Sequence, residues 1–239
     1  MLRSLAVGVA AAATVVFTAM RVEPVFLRDS IVIPRATSDE HALLESPWLM
    51  LPYADALATS MFLRDRNAFA NDLVNTGKVQ LPRALRLADV AVREAYRRKV
   101  PPALVLGIML TENHELKSTA RSSQGALGLM QIDPGPWRPA LGRLFGTNLR
   151  NDSTNLRYGV FILSHLANGS ARAATAESGA AWRTALLRYN GCVRGTNTRN
   201  CHSYPDVVRR NVLRVAREVC AGRDFETCVV TPLRLGTRS

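Results

Sequence analysis

The sequence of 239 residues predicts an all-α protein. Apolar residues recur three or four positions apart in most segments after residue 50, which is the spacing of one helix face. No segment shows the convincing alternation of apolar and polar residues that is typical of a half-buried strand. The hydrophobic content of 47% is enough to build a core.

The chain begins with an apolar segment, residues 5–20, which is uncharged and lies between Arg3 and Arg21. Its 16 residues are close to the lower limit for a membrane span, about 17 residues, and also fit a signal peptide. No Ala-x-Ala pair closes the segment, because Phe17 stands two residues before Ala19. Residues 1–21 are therefore predicted to be an uncleaved signal anchor, with a cleaved signal peptide as the alternative.

Residues 22–80 are predicted to form a linker and a small helical preface. Pro24 and Pro34 favour an extended linker, and Ser38 could cap a helix after it. From Tyr53 to Val74 apolar residues stand at near-helical spacing, and Gly77 ends the pattern. We expect this preface to pack on the domain that follows.

Residues 81–239 are predicted to be the main domain. Arg83–Lys99 is an amphipathic helix with one apolar stripe, and Pro101 and Pro102 open the next helix. That helix, Ala103–Asn113, is apolar on all sides and should therefore be buried. Further helices are predicted at Trp137–Phe145, from Asp152 or Ser153 to about Ala167, at Glu177–Tyr189 and at Asp206–Cys220.

Glu112 lies at the end of the apolar helix, and a Gly-rich segment begins ten residues later. Burial against apolar groups penalises the ionised carboxyl, so such a glutamate can keep its proton near neutral pH and act as a general acid. Gly125 and Gly128 would let backbone pass close to a ligand where a Cβ would collide. Glu115 could share the helix face of Glu112, although a position in a solvated loop is favoured.

Four motifs together resemble the soluble lytic transglycosylase (SLT) domain, whose fold is lysozyme-like. They occur in the family's order over about residues 100–215: Thr111-Glu112-Asn113, Gly125-Ala-Leu-Gly-Leu-Met-Gln131-Ile-Asp-Pro134, Asn155-Leu-Arg-Tyr-Gly159 and Arg188-Tyr189-Asn190-Gly191. The resemblance implies a peptidoglycan lytic transglycosylase that needs no cofactor or metal. Its substrate would be the peptidoglycan glycan strand.

The resemblance implies that Glu112 performs two steps. It protonates the glycosidic oxygen between N-acetylmuramic acid and N-acetylglucosamine, and its carboxylate then takes the proton of the muramoyl 6-hydroxyl, which gives a 1,6-anhydro product. Hydrolytic glycosidases of the two-carboxylate kind need a second Asp or Glu. Glu115 and Asp133 are nearby in the sequence, so a second carboxylate stays open at this point.

The resemblance also implies roles for residues around Glu112. Tyr189 matches a tyrosine whose hydroxyl lies near the catalytic glutamate. Ser122 and Gln131 match family positions that contact sugars. Asn113, Asp133 and Asn190 are further candidates for substrate binding, although Asp133 stands where relatives often carry an apolar residue. Several have structural alternatives: a turn hydroxyl for Ser122, a buried amide for Gln131, a turn cap for Asp133 and a helix end for Asn190. Asn155 is expected to be structural. The sequence departs from the family pattern at Asn113, where serine is usual, and in one extra residue before Gly125.

All four cysteines, Cys192, Cys201, Cys220 and Cys228, lie in the last 48 residues. Four cysteines allow three pairings. Cys192–Cys201 and Cys220–Cys228 are favoured, since each pair closes a short loop rich in turn formers. Disulfides indicate an oxidising compartment, so a periplasmic protein anchored in the inner membrane is expected. Zinc with His202 is the competing interpretation, but no CxxC pair supports it.

The positive charge lies in the second part of the chain, where residues 81–239 carry 24 Lys/Arg against 11 Asp/Glu. A basic surface suits a polyanion such as peptidoglycan, or it is simply solvated. Nucleic-acid binding, suggested by Arg209, Arg210, Arg214 and Arg217, is disfavoured by the expected export. Two further functions stay open beside the transglycosylase: a goose-type hydrolytic muramidase and an inactive, membrane-anchored peptidoglycan-binding protein.

Overall fold

The structure is a computed structural model that describes residues 51–173, 178–192 and 201–230. Nine α-helices account for most of these residues: α1 (Tyr53–Leu57), α2 (Ser60–Asn75), α3 (Leu81–Arg98), α4 (Pro102–Glu112), α5 (Pro134–Phe145), α6 (Asp152–Ala173), α7 (Ser178–Tyr189), α8 (Tyr204–Val215) and α9 (Arg217–Cys220). A 3₁₀ turn covers Cys201–Ser203, and a π-helical turn covers Glu226–Val230. These ranges contain no β-strand, only two isolated bridges at Leu127. The all-α prediction is confirmed.

Helix α4 is the centre of the core. Every residue from Pro102 to Leu110 is buried, as expected for a helix that is apolar on all sides. Helix α8 crosses α4 closely at Gly107, where an added Cβ would lie 2.5 Å from Cγ2 of Val212. Helices α2, α3 and α9 pack around the same helix. This packing fixes α4, and with it the place where its last residue, Glu112, leaves the core.

The helical preface packs on the main domain as expected. Thr59 divides it into α1 and α2, because its hydroxyl accepts the amide of Phe62 and caps the second helix. Phe62 meets the ring of Tyr96 edge to face at 5.2 Å, and the Tyr96 hydroxyl donates to Oδ2 of Asp65 at 2.8 Å. The described preface and the helices from α3 onwards therefore share one core.

The prediction of one continuous helix over Asp206–Cys220 is wrong in two respects: the helix begins earlier, and the segment contains two helices. Helix α8 begins at Tyr204, because Pro205 is tolerated in a first helical turn. It ends at Val215, and the short helix α9 follows. Asp72 stabilises the break, since its carboxylate accepts the amides of Glu218 and Val219 at the start of α9.

The predicted signal anchor at residues 5–20, the linker and the Ser38 cap lie outside the described residues. Within the described ranges, no helix is both long enough and apolar enough to cross a membrane.

Candidate active site

Glu112 is the last residue of α4, and its carboxyl is partly buried. Burial raises its pKa from the ordinary value of 4.5 to about 7, and a hydrogen bond from Tyr204 opposes the rise. The helix C-terminus also disfavours negative charge. The carboxyl is therefore near its midpoint at neutral pH, where it can both give and take a proton.

Tyr204 holds the carboxyl of Glu112. Its hydroxyl donates to Oε1 of Glu112 at 2.5 Å. The tyrosine side chain is buried, and its pKa is raised well above 10 by that burial and by the charge of Glu112. Tyr204 therefore stays protonated and remains a donor throughout the range in which Glu112 titrates. None of the four sequence motifs includes this residue.

Tyr189, the tyrosine implied by the resemblance, lies in the same cluster but orients a different group. Its hydroxyl donates to the carbonyl oxygen of Met130 at 2.9 Å. Burial raises its pKa well above 10, and the charge of Glu112 adds to that rise. Tyr189 is thus close enough to interact electrostatically with Glu112, while its hydrogen bond fixes the Gly-rich segment at Met130.

The peptide groups of Met130 are held from both sides. The Oδ1 of Asn155 accepts the Met130 amide at 2.8 Å, and Tyr189 binds the Met130 carbonyl. Asn155 also donates to the carbonyls of Leu127 and Leu149, so its buried amide is fully used in structural contacts, as expected. The Met130 side chain packs closely against Gly159, where a Cβ would lie 2.2 Å from the sulfur.

The glycines of this segment have backbone conformations that favour glycine. Gly125 and Gly128 both have positive φ, of 95° and 77°, which favours glycine in the left-handed region. A Cβ at Gly128 would lie 2.3 Å from Nδ2 of Asn155, so the close approach is to the protein's own side chain. Conformation and packing on Asn155 require a glycine at position 128, independently of any ligand.

Gln131 lies at the exit of the segment, with φ of 46° and a partly buried side chain. Its Nε2 donates to the carbonyl of Gly128 at 2.9 Å. This bond uses one amide hydrogen, which leaves the second amide hydrogen and the oxygen as groups that can meet a sugar. The predicted sugar contact is compatible with this position.

Asn113 is a loop anchor in the structure. Its Nδ2 donates to the carbonyls of Lys117 and Gly128, at 2.7 and 3.2 Å, and its Oδ1 accepts the amide of Lys117. The side chain is buried, and both amide hydrogens are used internally. These contacts explain Asn113 without a sugar, and they differ from the predicted substrate contact.

Ser122 and Asp133 have the structural contacts that were the alternatives to sugar binding. Ser122 Oγ accepts the amide of Ala126 at 3.0 Å, as a turn hydroxyl does. Asp133 is exposed and caps α5 by accepting the amide of Gly135 at 3.0 Å. Asn190 follows the last residue of α7, and the left-handed Gly191 comes after it, as in a helix end.

Glu115 lies in an exposed loop, which is the favoured interpretation. Its carboxylate pairs with Lys78 at 2.8 Å and with His114 at 3.0 Å, and these bonds lower its pKa. In the described part of the chain, no second carboxylate contributes to the pKa shift of Glu112, whose causes are burial and Tyr204.

The loop after Glu112 is tied to the helical core by Arg83 of α3. The Arg83 guanidinium donates to the carbonyl of Leu116 at 2.9 Å and to the hydroxyl of Ser118 at 3.0 Å, and it pairs with Asp152. Leu116 itself is fully buried and has a left-handed backbone, with φ of 51°. The chain that follows Glu112 is therefore anchored at both Asn113 and Leu116.

The cysteines form the two favoured disulfides, Cys192–Cys201 and Cys220–Cys228. Cys192, Cys201 and His202 lie close enough together to resemble a metal site. Both sulfurs of that group are joined in the disulfide, so they are not thiolate ligands.

Comparison with protein families matches residues 89–203 to the family described as the transglycosylase SLT domain. The chain contains a transglycosylase SLT domain. Comparison with curated proteins and with solved structures gives no significant match. The SLT domain makes this a transglycosylase-type enzyme with a lysozyme-like helical fold and peptidoglycan as its substrate class. The matched range includes Glu112 and Tyr189 and ends one residue before Tyr204.

Tyr204 was missed because its only local signals point to a helix start. It stands between Ser203 and Pro205, a context that is typical of a first helical turn. Its bond to Glu112 joins residues 92 positions apart, and periodicity does not report such a contact. The nearby Cys201, predicted to be in a disulfide, was the one signal that this segment is fixed in space.

Proposed function

We propose that this SLT protein is a lytic transglycosylase that cleaves the β-1,4 bond between N-acetylmuramic acid and N-acetylglucosamine and forms 1,6-anhydro-N-acetylmuramic acid. The observation that carries the proposal is the carboxyl of Glu112. It is partly buried, has a pKa of about 7 and is held by Tyr204 at 2.5 Å. One such group can serve as both acid and base in a single turnover.

In the first step, protonated Glu112 gives its proton to the glycosidic oxygen, and the bond from that oxygen to the anomeric carbon breaks. N-acetylglucosamine leaves with a 4-hydroxyl, and Glu112 is left as a carboxylate. In the second step, the carboxylate takes the proton of the muramoyl 6-hydroxyl, and the oxygen of that hydroxyl bonds to the anomeric carbon. Glu112 ends protonated again, and no water is consumed.

Tyr204 supports both steps through one geometry. A neutral phenol donates a hydrogen bond that favours the carboxylate, so it stabilises the form of Glu112 that exists between the steps. Because the hydroxyl holds Oε1, the other carboxyl oxygen is the one we assign to proton transfer. Tyr189 acts indirectly. Its hydrogen bond to the Met130 carbonyl positions the backbone that leads to Gln131.

The single-carboxylate route is favoured over two-carboxylate hydrolysis by the contacts of the nearby acids. Asp133 caps α5 and is exposed, and Glu115 is engaged with Lys78. Neither acid contributes to the pKa shift of Glu112. A hydrolase of the two-carboxylate kind would require a second group that faces the scissile bond.

The test is digestion of purified sacculi, with mass spectrometry of the released muropeptides. The proposal expects anhydro-muramoyl ends from the wild-type protein and at least about a hundredfold less product from Glu112→Gln, the usual scale for loss of a general acid–base. Glu115→Gln is the matched control, because it removes a carboxylate three residues away that is paired with Lys78.

Reducing muramoyl ends without anhydro ends would establish a hydrolytic muramidase instead. Unchanged product from Glu112→Gln would remove Glu112 from the mechanism, and no product from the wild type would favour an inactive glycan-binding protein.

The proposal also includes export, with residues 5–20 as a signal anchor in the inner membrane. Two disulfides support this, because such bonds persist in oxidising compartments. Fusion of residues 1–50 to a reporter that is active only outside the cytoplasm tests it. A full-length product in the membrane fraction indicates an anchor, a shortened soluble product indicates a cleaved signal peptide, and an inactive reporter contradicts export.

A further inference from the structure

The two tyrosines of the site lie on different helices that are consecutive in the described chain. Tyr189 is the last residue of α7, and Tyr204 is the first residue of α8. Both hydroxyls lie in the cluster around Glu112, whose charge raises the pKa of each. Their relative placement is therefore a geometric requirement of the site: Tyr204 must reach Glu112 while Tyr189 reaches Met130.

A disulfide joins the two helices at symmetric positions. Cys192 comes three residues after Tyr189, and Cys201 comes three residues before Tyr204. The Cα atoms of the two cysteines are 5.5 Å apart, and both side chains are buried. Without this bond, the covalent connection between the two tyrosines would run through residues 193–200, which lie outside the described ranges.

The ion pair between α7 and α8 is a weaker anchor than the disulfide. An ion pair between these helices, from Arg183 to Asp206 at 2.9 Å, joins side chains that are about half exposed. Exposed pairs of this kind contribute little. Tyr204 stands in the first turn of α8, and the ends of helices open more easily than their centres. The disulfide therefore secures the part of α8 that most needs a fixed position.

We infer that the Cys192–Cys201 disulfide is a positioning element of the active site, which keeps Tyr204 on the carboxyl of Glu112. The inference rests on the proposed function. A dithiol reductant breaks the bond between the two Sγ atoms, supplies two electrons and two protons, and leaves two thiols while it closes its own disulfide. Once the start of α8 is released, water reaches Glu112 and the hydrogen bond from Tyr204 is lost.

Breaking the disulfide has two opposing effects on the pKa of Glu112, and the larger effect sets the direction of the change. Loss of the Tyr204 bond alone would raise the pKa of Glu112, whereas entry of water would lower it. Burial is the larger cause of the present shift. Opening of the site should therefore bring the pKa of Glu112 down towards its ordinary value.

The second disulfide supplies a matched control. Cys220–Cys228 also closes a short loop, with a sequence separation of 8 against 9, and it joins the end of α9 to the π-helical turn. It does not link the two tyrosine segments. Cys192→Ser/Cys201→Ser and Cys220→Ser/Cys228→Ser therefore remove loops of nearly equal length, and only the first releases Tyr204.

The experiment measures anhydro-product formation against pH for the wild type and both double variants, below the melting temperature of each. Cys192→Ser/Cys201→Ser should lose at least about tenfold in turnover, and its alkaline limb should move to lower pH. Cys220→Ser/Cys228→Ser should keep the turnover and the pH profile of the wild type. An unchanged profile for the first variant, or equal losses in both, would overturn the inference.

Reduction provides a second measurement that does not depend on the folding of the first variant. Cys220→Ser/Cys228→Ser retains only the Cys192–Cys201 bond, so a reductant acts on that bond alone. Activity should fall on reduction and return on reoxidation, with no loss of helical circular dichroism. Loss of helical signal at every temperature tried would make the bond a general stabiliser and would contradict the inference. Absence of anhydro product from the wild type would instead contradict the proposed function.

Discussion

The hydroxyl of Tyr204 donates to Oε1 of Glu112 across 2.5 Å, and both side chains sit where α4 and α8 meet. Gly107 makes that meeting possible, because α8 packs on α4 at a distance that excludes a Cβ. The relationship joins a residue at the end of one helix to a residue at the start of another. The packing of α8 on α4 thus provides the Tyr204 hydrogen bond that affects the pKa of Glu112.

Replacement of Tyr204 by phenylalanine should raise the pKa of Glu112. The hydrogen bond from Tyr204 favours the carboxylate, and phenylalanine keeps the packing while it removes the donor. In the proposed mechanism, protonated Glu112 starts the reaction, so kcat/KM should fall above about pH 7 in the wild type. In Tyr204→Phe this alkaline limb should move to higher pH, with a loss in kcat of about tenfold, the scale of one hydrogen bond to a charged group. A profile that coincides with that of the wild type would show that the bond does not act on Glu112.

Replacement of Tyr189 by phenylalanine should lower turnover without that pH shift. Tyr189 is not among the causes that shift the pKa of Glu112, and its hydroxyl binds the Met130 carbonyl. Loss of this bond loosens the backbone that leads to Gln131, so KM should rise together with a fall in kcat. The paired pH profiles of Tyr189→Phe and Tyr204→Phe are the measurement. Equal shifts of the alkaline limb in both variants would contradict the different roles assigned to the two tyrosines.

Glu112→Gln should stabilise the protein at alkaline pH. The folded pKa of about 7 lies above the ordinary value of 4.5, so the folded state binds the proton more tightly than the unfolded state. The contribution of Glu112 to stability is complete below about pH 4.5 and is lost as the pH rises through 7. The difference from glutamine should therefore grow to at most about 3 kcal/mol at about pH 9.

Urea denaturation of both proteins between about pH 5 and pH 9 provides the measurement. The wild type should lose stability relative to Glu112→Gln over this range, because only the wild type must bury a charge. Glu115→Gln is a suitable control, since Glu115 is exposed. A constant difference between wild type and Glu112→Gln across this pH range would contradict the raised pKa.

Local sequence patterns predicted the position of Glu112 because the cause is local. A run of apolar residues gives a buried helix, and the first carboxyl after it must lie at the edge of the core. The same reasoning failed for Tyr204, whose partner is 92 residues away. Asn113 was a candidate for a sugar contact through the family resemblance, and that contact stays a prediction, but its side chain has internal contacts that local patterns do not report. The left-handed turn at Leu116 brings backbone groups of the loop towards Asn113, and they use its amide hydrogens.

Asn155→Ala should destabilise the protein strongly. The side chain satisfies three backbone groups, those of Met130, Leu127 and Leu149, and it is almost fully buried. An unsatisfied buried group costs about 1–3 kcal/mol, so the loss should be at least about 3 kcal/mol in the free energy of unfolding. Asn148→Ala is the control, because its side chain is exposed and accepts only the amide of Arg150. A loss below about 1 kcal/mol for Asn155→Ala would mean that water replaces the amide at no great cost.

Removal of the helical preface should destroy the fold, although the match to the SLT family begins only at residue 89. Helix α2 covers the buried Tyr96 ring through Phe62, and its Asp65 binds the Tyr96 hydroxyl. Its Asp72 also caps α9. A protein that begins at Leu81 would expose the apolar face of α3 and leave the Tyr96 hydroxyl and the α9 amides without these partners. Each unsatisfied buried group costs about 1–3 kcal/mol, and the total stability of a typical domain is only about 5–15 kcal/mol. A protein that begins at residue 51 keeps all of these contacts and should melt cooperatively at a temperature close to that of the full chain. Thermal unfolding followed by circular dichroism compares the two truncations. Equal melting temperatures would show that the domain from Leu81 onwards folds independently of the preface.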